Sequence, residues 1–198
     1  MSDQQACSGC GFTHQCICHR IPNTESQTQL VLLTHENELT RHTNTGKLLQ
    51  QSLKQCQSFV WQRKTPPAEL LALLNDETHQ PLLLFPSDES IECQQAVSDT
   101  ASERMPLFII LDGTWQEAKK MLNKSPWLQT IPQVHLDVTS ESSYTLRRNQ
   151  DSGHLCTCEV GIELLKALDE AHPAKQIEDY YQHYLKVFQA DKSGHALR

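Results

Sequence analysis

The chain has 198 residues, enough for one domain with a substantial core, and is 38% hydrophobic and 21% charged. No apolar run reaches the length of a membrane span, and the polar N-terminus with its four cysteines does not resemble a signal peptide. A cytoplasmic protein with reduced thiols and no membrane partner is therefore expected, and a monomer is the default expectation.

A net charge of −7 weighs against a nucleic-acid partner, because phosphates call for Lys and Arg. The charge is unevenly spread, however. From Arg41 to Lys64 there are five basic residues and no acid, whereas acids outnumber bases seven to two between Asp151 and Asp179. A basic face on an acidic protein is compatible with this distribution, as is an ordinary solvated stretch.

Residues 7–18 read Cys7-x-x-Cys10-x5-Cys16-x-Cys18. Four thiolates so close in sequence can close a tetrahedral zinc site, and with no hydrophobic run between them the metal would have to fold the segment. Free or redox cysteines are the alternative. Four protein ligands leave no open position for water, so such a zinc is structural. The segment is taken as residues 1–24.

A buried-type strand, Leu30 to Thr34, leads into a long polar loop from His35 to Gly46, followed by a helical stretch from Lys47 to Cys56. Ser58 to Trp61 reads as a short strand, Pro66-Pro67 as a turn, and Ala68 to Leu74 as a short helix. Pro81 to Phe85 is a second buried strand ending in Pro86-Ser87, with a helix around Ile91 to Val97.

The centre of the chain is Leu107 to Leu122. Five consecutive apolar residues, Leu107 to Leu111, make a buried strand, and only Asp112 and Gly113 separate it from a helix. Thr114 caps that helix, with Glu117 three residues on completing a capping box. Trp115, Ala118 and Leu122 share its apolar face. A strand ending in Asp-Gly and turning at once into a helix points a carboxylate and free backbone N–H groups into the crevice above a sheet, where ligands bind in open α/β folds. A plain turn with an N-cap has the same sequence. Further on, Gln133 to Val138 alternates as a strand, Leu155 to Val160 opens a helix whose apolar face runs to Ala171, and a final amphipathic helix spans about Ala174 to Ala190. Residues 191–198 read as a disordered tail. Strands near 30, 58, 82, 108 and 134 alternating with helices predict an α/β fold with a mainly parallel sheet over residues 25–190.

Asp112-Gly113-Thr114-Trp115 resembles the D-x-T-W signature of the DTW-domain family, which comprises tRNA-uridine aminocarboxypropyltransferases. Other blocks match in order: the four cysteines followed by Arg20 and Pro22; His35, Glu38, Arg41, Thr43, Asn44, Thr45 and Gly46; the strand ending in Pro86-Ser87; Tyr144 with Arg147; and Thr157 with Glu159. Three local departures stand out. Glu36 occupies a position where the family usually has Pro, the proline often found after the Tyr-Arg block is absent, and Val160 replaces a small residue.

The resemblance implies a SPOUT-like fold with a C-terminal trefoil knot, a structural Zn2+ on Cys7, Cys10, Cys16 and Cys18, S-adenosylmethionine as donor, and tRNA as partner. By the same token, Leu84, Pro86, Ser87, Leu111, Gly113, Thr114, Trp115, Arg147, Thr157 and Glu159 are expected around the donor, and His35, Arg41, Asn44 and Thr45 around the RNA substrate. Arg147 suits the donor's carboxylate and Arg41 a phosphate. Asp112 is the candidate base for uridine N3–H, or else the group that holds the donor's amino group or positions the uridine. Trp115 either stacks on a base or packs in the core, and its helical spacing favours the core. Cys156 and Cys158 read as buried or pocket-lining thiols. Two other classes fit the residues: a SPOUT-like methyltransferase using the same donor, and a non-catalytic zinc-containing RNA-binding module that does not need Asp112.

Overall fold

A computed structural model describes residues 5–99, 104–137, 144 and 155–198. The apolar run before Asp112 forms β5 (Met105–Asp112), whose last six residues are buried. That is the burial of an inner parallel strand covered on both faces. Around it lie β1 (Gln29–Thr34), β2 (Cys56–Val60), β3 (His79–Leu84), β4 (Ile91–Glu92) and β6 (Gln133–His135). Every pairing is parallel and the order is β2-β1-β5-β3-β6-β4. The register sets Thr34 beside Asp112 and Leu84 beside Ile110.

Alternate residues feed two cores. On one face Leu30, Leu32, Leu82, Phe108 and Ile110 pack under α1 (Gly46–Ser52), α6 (Thr157–Ala167) and α7 (Ala171–Lys192). On the other, Val31, Leu33, Leu83, Ile109 and Leu111 meet α2 (Ala68–Leu74), α4 (Trp115–Lys124) and α5 (Pro126–Gln129). Because side chains alternate along a strand, Asp112 falls on the first face and Leu111 on the second. The helices α1 and α6 approach closely at Gly161, where a Cβ would come within 2.5 Å of Leu49 Cδ1.

Three differences from the sequence reading have physical causes. Ile91 and Glu92 do not begin a helix but pair with β6, and α3 (Cys93–Ser98) starts after them. The helix α7 runs on to Lys192, and the stretch beyond, read as a loose tail, lies against the N-terminal segment, where the Leu197 N–H donates to Gln15 Oε1 at 2.8 Å. Asp191 Oδ1 accepts the backbone N–H groups of Thr13 and His14 at 2.9 and 2.7 Å. The cysteine segment also shares the main core: Cys10, Phe12 and Ile17 are buried in it, and the Phe12 ring lies 5.3 Å from Tyr184 and 6.3 Å from Phe188 of α7. The connection from β6 to α6, on which the implied knot depends, includes residues 138–143 and 145–154, outside the described residues.

Candidate active site

Asp112 ends β5 and is 3% exposed. Three neutral donors converge on its carboxylate. Thr157 Oγ1, at the start of α6, donates to Oδ1 at 2.7 Å, and Asn44 Nδ2 and Thr34 Oγ1 donate to Oδ2 at 2.9 and 3.2 Å. Burial raises the Asp112 pKa above the ordinary carboxylate value, opposed by the bonds from Asn44 and Thr157 and reinforced by the charge of Glu38. The Thr-Asn-Thr-Gly run enters α1 directly above it. Gly46 is required by close approach, since a Cβ there would sit 2.8 Å from Asp112 Cγ and Oδ2.

Asn44 joins this carboxylate to a second one. Its Nδ2 also donates to Glu38 Oε2 at 3.0 Å, and its Oδ1 accepts the Lys47 N–H at 3.1 Å, fixing the start of α1. Glu38, buried in the 3-10 turn Glu36–Thr40, pairs in turn with Arg41. Arg41 then grips Glu117 with both terminal nitrogens, at 2.7 and 2.9 Å. Burial works to raise the Glu117 carboxyl, but the bonds from Arg41, Asn37 and Thr114 prevail and hold it well below the ordinary range. The expected capping box is present: Glu117 N–H donates to Thr114 Oγ1 at 3.3 Å, and Thr114 N–H to Glu117 Oε2 at 2.8 Å. Arg41 thus clamps the polar loop to the start of α4.

Other expected site residues divide between the two faces. His35 is buried, its Nδ1 accepts the Asn37 N–H at 3.3 Å, and its ring stacks on Trp61 at 5.5 Å. Thr45 Oγ1 accepts the Cys158 N–H at 3.3 Å. Glu159 Oε2 accepts the Cys156 N–H at 2.9 Å, capping the helix that carries Thr157. Trp115 lies on the opposite face from the Asp112 carboxylate, stacked on Phe85 at 5.1 Å and packed against the second core. Leu84 is half-buried at the end of β3; Pro86 and Ser87 are exposed beyond it, in a turn closed by Ser90. Leu111 is buried beneath that face, and Gly113 links it to α4. Arg147 lies outside the described residues. Cys158 is fully buried and Cys156 bonds the Tyr181 hydroxyl at 3.3 Å; burial pushes the Cys156 thiol up to about 12.

A cavity of about 450 Å³ opens beside Asp112 on the β1–β2 side, between α1 and the Glu38–Arg41 turn. Lys47, Gln50 and Ser58 also line it. Burial lowers the Lys47 ammonium from its ordinary value, and its Nζ lies 5.5 Å from the centre of the Tyr184 ring.

The four N-terminal cysteines come together, all their sulfur atoms lying within 4.8 Å of one another. Tetrahedral zinc with bonds of about 2.3 Å needs sulfurs about 3.8 Å apart. Cys7 Sγ is already 3.5 Å from Cys16 and 3.7 Å from Cys18. Backbone N–H groups of Cys10 and Gly9 draw the Cys7 thiol down to about 6, while bonding to Cys16 and Cys7 pushes Cys18 up to about 12. Such crowded thiols ionise together only around a cation, and the donor set fits a structural metal. Gly9 is needed here, because a Cβ would lie 2.7 Å from Cys18 Sγ.

Thr34, Glu38, Glu117 and Lys47 are among the site residues that sequence reasoning did not assign. Glu117 was visible only as a helix cap, and its partner Arg41 lies 76 positions away.

The DTW domain family model matches residues 4–190. A Drosophila melanogaster protein named tRNA-uridine aminocarboxypropyltransferase 2 is 28% identical over 186 residues, covering 90% of this chain and 72% of that protein. Proteins of the same name from Macaca fascicularis and Mus musculus are 25% and 26% identical, over 83% and 78% of this chain. The chain spans 56% and 53% of the length of those two mammalian relatives. No solved structure matches it. With the family model spanning nearly all of the sequence, and the D-x-T-W turn at the end of the inner strand, the chain belongs to the DTW domain family.

Proposed function

We propose that the protein transfers the 3-amino-3-carboxypropyl group of S-adenosylmethionine to N3 of a uridine in tRNA, in the cytoplasm. The observation that carries this reading is the buried Asp112 carboxylate at the carboxyl end of a parallel sheet, bordering a cavity. The names of the relatives support the reaction class.

In the reaction, the methionyl Cγ–S bond breaks and an N3–Cγ bond forms. The bonding pair leaves with sulfur as 5′-methylthioadenosine, and the N3 proton passes to Asp112 and then to solvent. Asp112 is suited to take that proton because burial raises its pKa towards the working range. Thr157, Asn44 and Thr34 hold its oxygens in place. The donor's Cγ, rather than its methyl, has to face the nucleophile, so orientation decides the outcome. In this reading the ends of β3 and β5, with Leu84, Pro86, Ser87, Leu111, Gly113 and Thr114, and the start of α6, with Thr157 and Glu159, surround the donor. Arg147 holds its carboxylate. Zinc on the four cysteines holds the N-terminal segment onto α7 and takes no part in the chemistry, and a trefoil knot closes the donor site.

The test uses donor labelled either in the methionyl carboxyl or in the methyl group, incubated with the protein and unmodified tRNA. Carboxyl label appearing in tRNA supports the reading. Methyl label in tRNA refutes it in favour of a methyltransferase.

A further inference from the structure

We infer that the cavity beside Asp112 receives the acceptor base, and that Lys47 is the cation that holds the carbonyl oxygen next to the reacting nitrogen. This rests on the transfer reading above.

The first argument is position. β1 and β2 lie on one side of β5 and β3 on the other. The cavity is on the β1–β2 side, between Thr34, Ser58 and α1. It leaves the β3 side, where Leu84 to Ser87 end, to the donor. Asp112 stands between the two, where a proton acceptor for an attacking base belongs. The volume of about 450 Å³ is within the range of small-ligand sites.

The second argument is charge. Five ionisable side chains line the cavity: Glu38, Arg41, Lys47, Asp112 and the exposed His42. Arg41 is already held by Glu38 and by Glu117. The Asp112 carboxylate receives bonds from two hydroxyls and an amide, all neutral. Lys47 is half-buried, its ammonium lies over the Tyr184 ring, and among the described residues no carboxylate pairs with it. Among the described residues, the Asp112 carboxylate is bonded by no cation and the Lys47 ammonium by no carboxylate, the charge of Cys10 acting on Lys47 without a hydrogen bond.

A ligand that answers both has an acidic N–H next to a carbonyl oxygen, which is the imide of uracil. Its N3–H meets Asp112 and a flanking oxygen meets Lys47. Cytosine fails on the first count and keeps only one of the two flanking oxygens. Its N3 carries a lone pair instead of a proton, and its amino group replaces one carbonyl, so a lone pair faces the carboxylate. Selection then comes from repulsion as well as attraction. As N3 loses its proton to Asp112, negative charge spreads onto the imide oxygens, and an ammonium already in place stabilises it without reorganisation.

The test uses the full chain, Lys47→Met and Lys47→Gln, with one tRNA transcribed either with uridine or with 5-fluorouridine, whose N3–H is more acidic. Donor affinity and metal content are measured in parallel. On uridine tRNA both variants are expected to lose about 10²-fold in kcat. On 5-fluorouridine tRNA most of that loss is recovered, with donor affinity and metal content unchanged. An equal loss on both tRNAs, or full activity of both variants, overturns the assignment of Lys47. Loss of metal together with activity also overturns it, because the lysine then serves the neighbouring thiolates of Cys10 and its partners. A wild-type protein that modifies no tRNA refutes the transfer reading itself, a result separable from all of these.

Discussion

The hydroxyl of Thr157 donates a 2.7 Å hydrogen bond to Oδ1 of Asp112, joining the first residue of α6 to the last residue of β5. The bond spans 45 positions of sequence and sets one oxygen of the central carboxylate. Asn44 and Thr34 set the other. Three segments of the chain therefore define the orientation of one side chain.

Asp112→Asn replaces an acceptor of three bonds with an amide whose nitrogen faces donors. Transfer is expected to fall about 10³-fold in kcat, the scale of a lost general base. Donor affinity measured by calorimetry should change only a few-fold. Because burial raises the Asp112 pKa, the acid limb of the wild-type kcat/KM profile should lie above the ordinary carboxylate value and be absent from the variant's residual activity. A large loss of donor affinity with little change in kcat would instead assign Asp112 to the donor's amino group.

Gly46→Ala tests the placement of that carboxylate without replacing it. The new Cβ would meet Asp112 Cγ and Oδ2 at 2.8 Å and Oδ1 at 2.9 Å, so the carboxylate has to shift. A displacement of this order at a reacting group costs about 10²-fold in rate. Kinetics and thermal melting on the same preparation check it: the rate should fall far more than the melting temperature.

Glu117→Gln breaks the fork to Arg41 and weakens the cap of α4. Removing one partner of this half-buried pair should destabilise the fold by about 1.5 kcal/mol at neutral pH. The Glu117 pKa is depressed on folding from 4.5, so its stabilisation is present above that value and is lost as pH falls through the folded-state value. Urea melts of wild type and variant should differ most at neutral pH and converge in acid.

Cys10→Ser removes one of four clustered sulfurs. Metal analysis should give one zinc per wild-type chain and much less for the variant. The segment packs Phe12 on Tyr184 and Phe188, so loss of metal should also lower the melting temperature and loosen α7 in hydrogen exchange. Unchanged melting after complete chelation would show that the thiols hold the segment without a metal.

The strands around Leu32, Leu83 and Ile109 were legible because inner parallel strands read as continuous apolar runs, and the Thr114–Glu117 cap because its spacing is fixed locally. Long-range pairs were not legible. Nothing in sequence links Arg41 to Glu117 or Asn44 to Asp112, since those contacts follow from strand order. Arg41, read as a phosphate contact, is engaged by Glu38 and Glu117 for the same reason. Trp115 illustrates the value of periodicity: its spacing with Ala118 and Leu122 pointed to core, and it stacks on Phe85 beside them. The order of the C-terminal stretch escaped composition because it depends on Gln15 and on Thr13 and His14, contributed by the other end of the chain.

The most direct test of the proposed transfer is mass spectrometry of nucleosides from unmodified tRNA incubated with the purified protein and S-adenosylmethionine, with the small co-product identified in the same tube. The predicted result is uridine carrying an aminocarboxypropyl group together with an equal amount of 5′-methylthioadenosine. A methylated nucleoside accompanied by S-adenosylhomocysteine would contradict it.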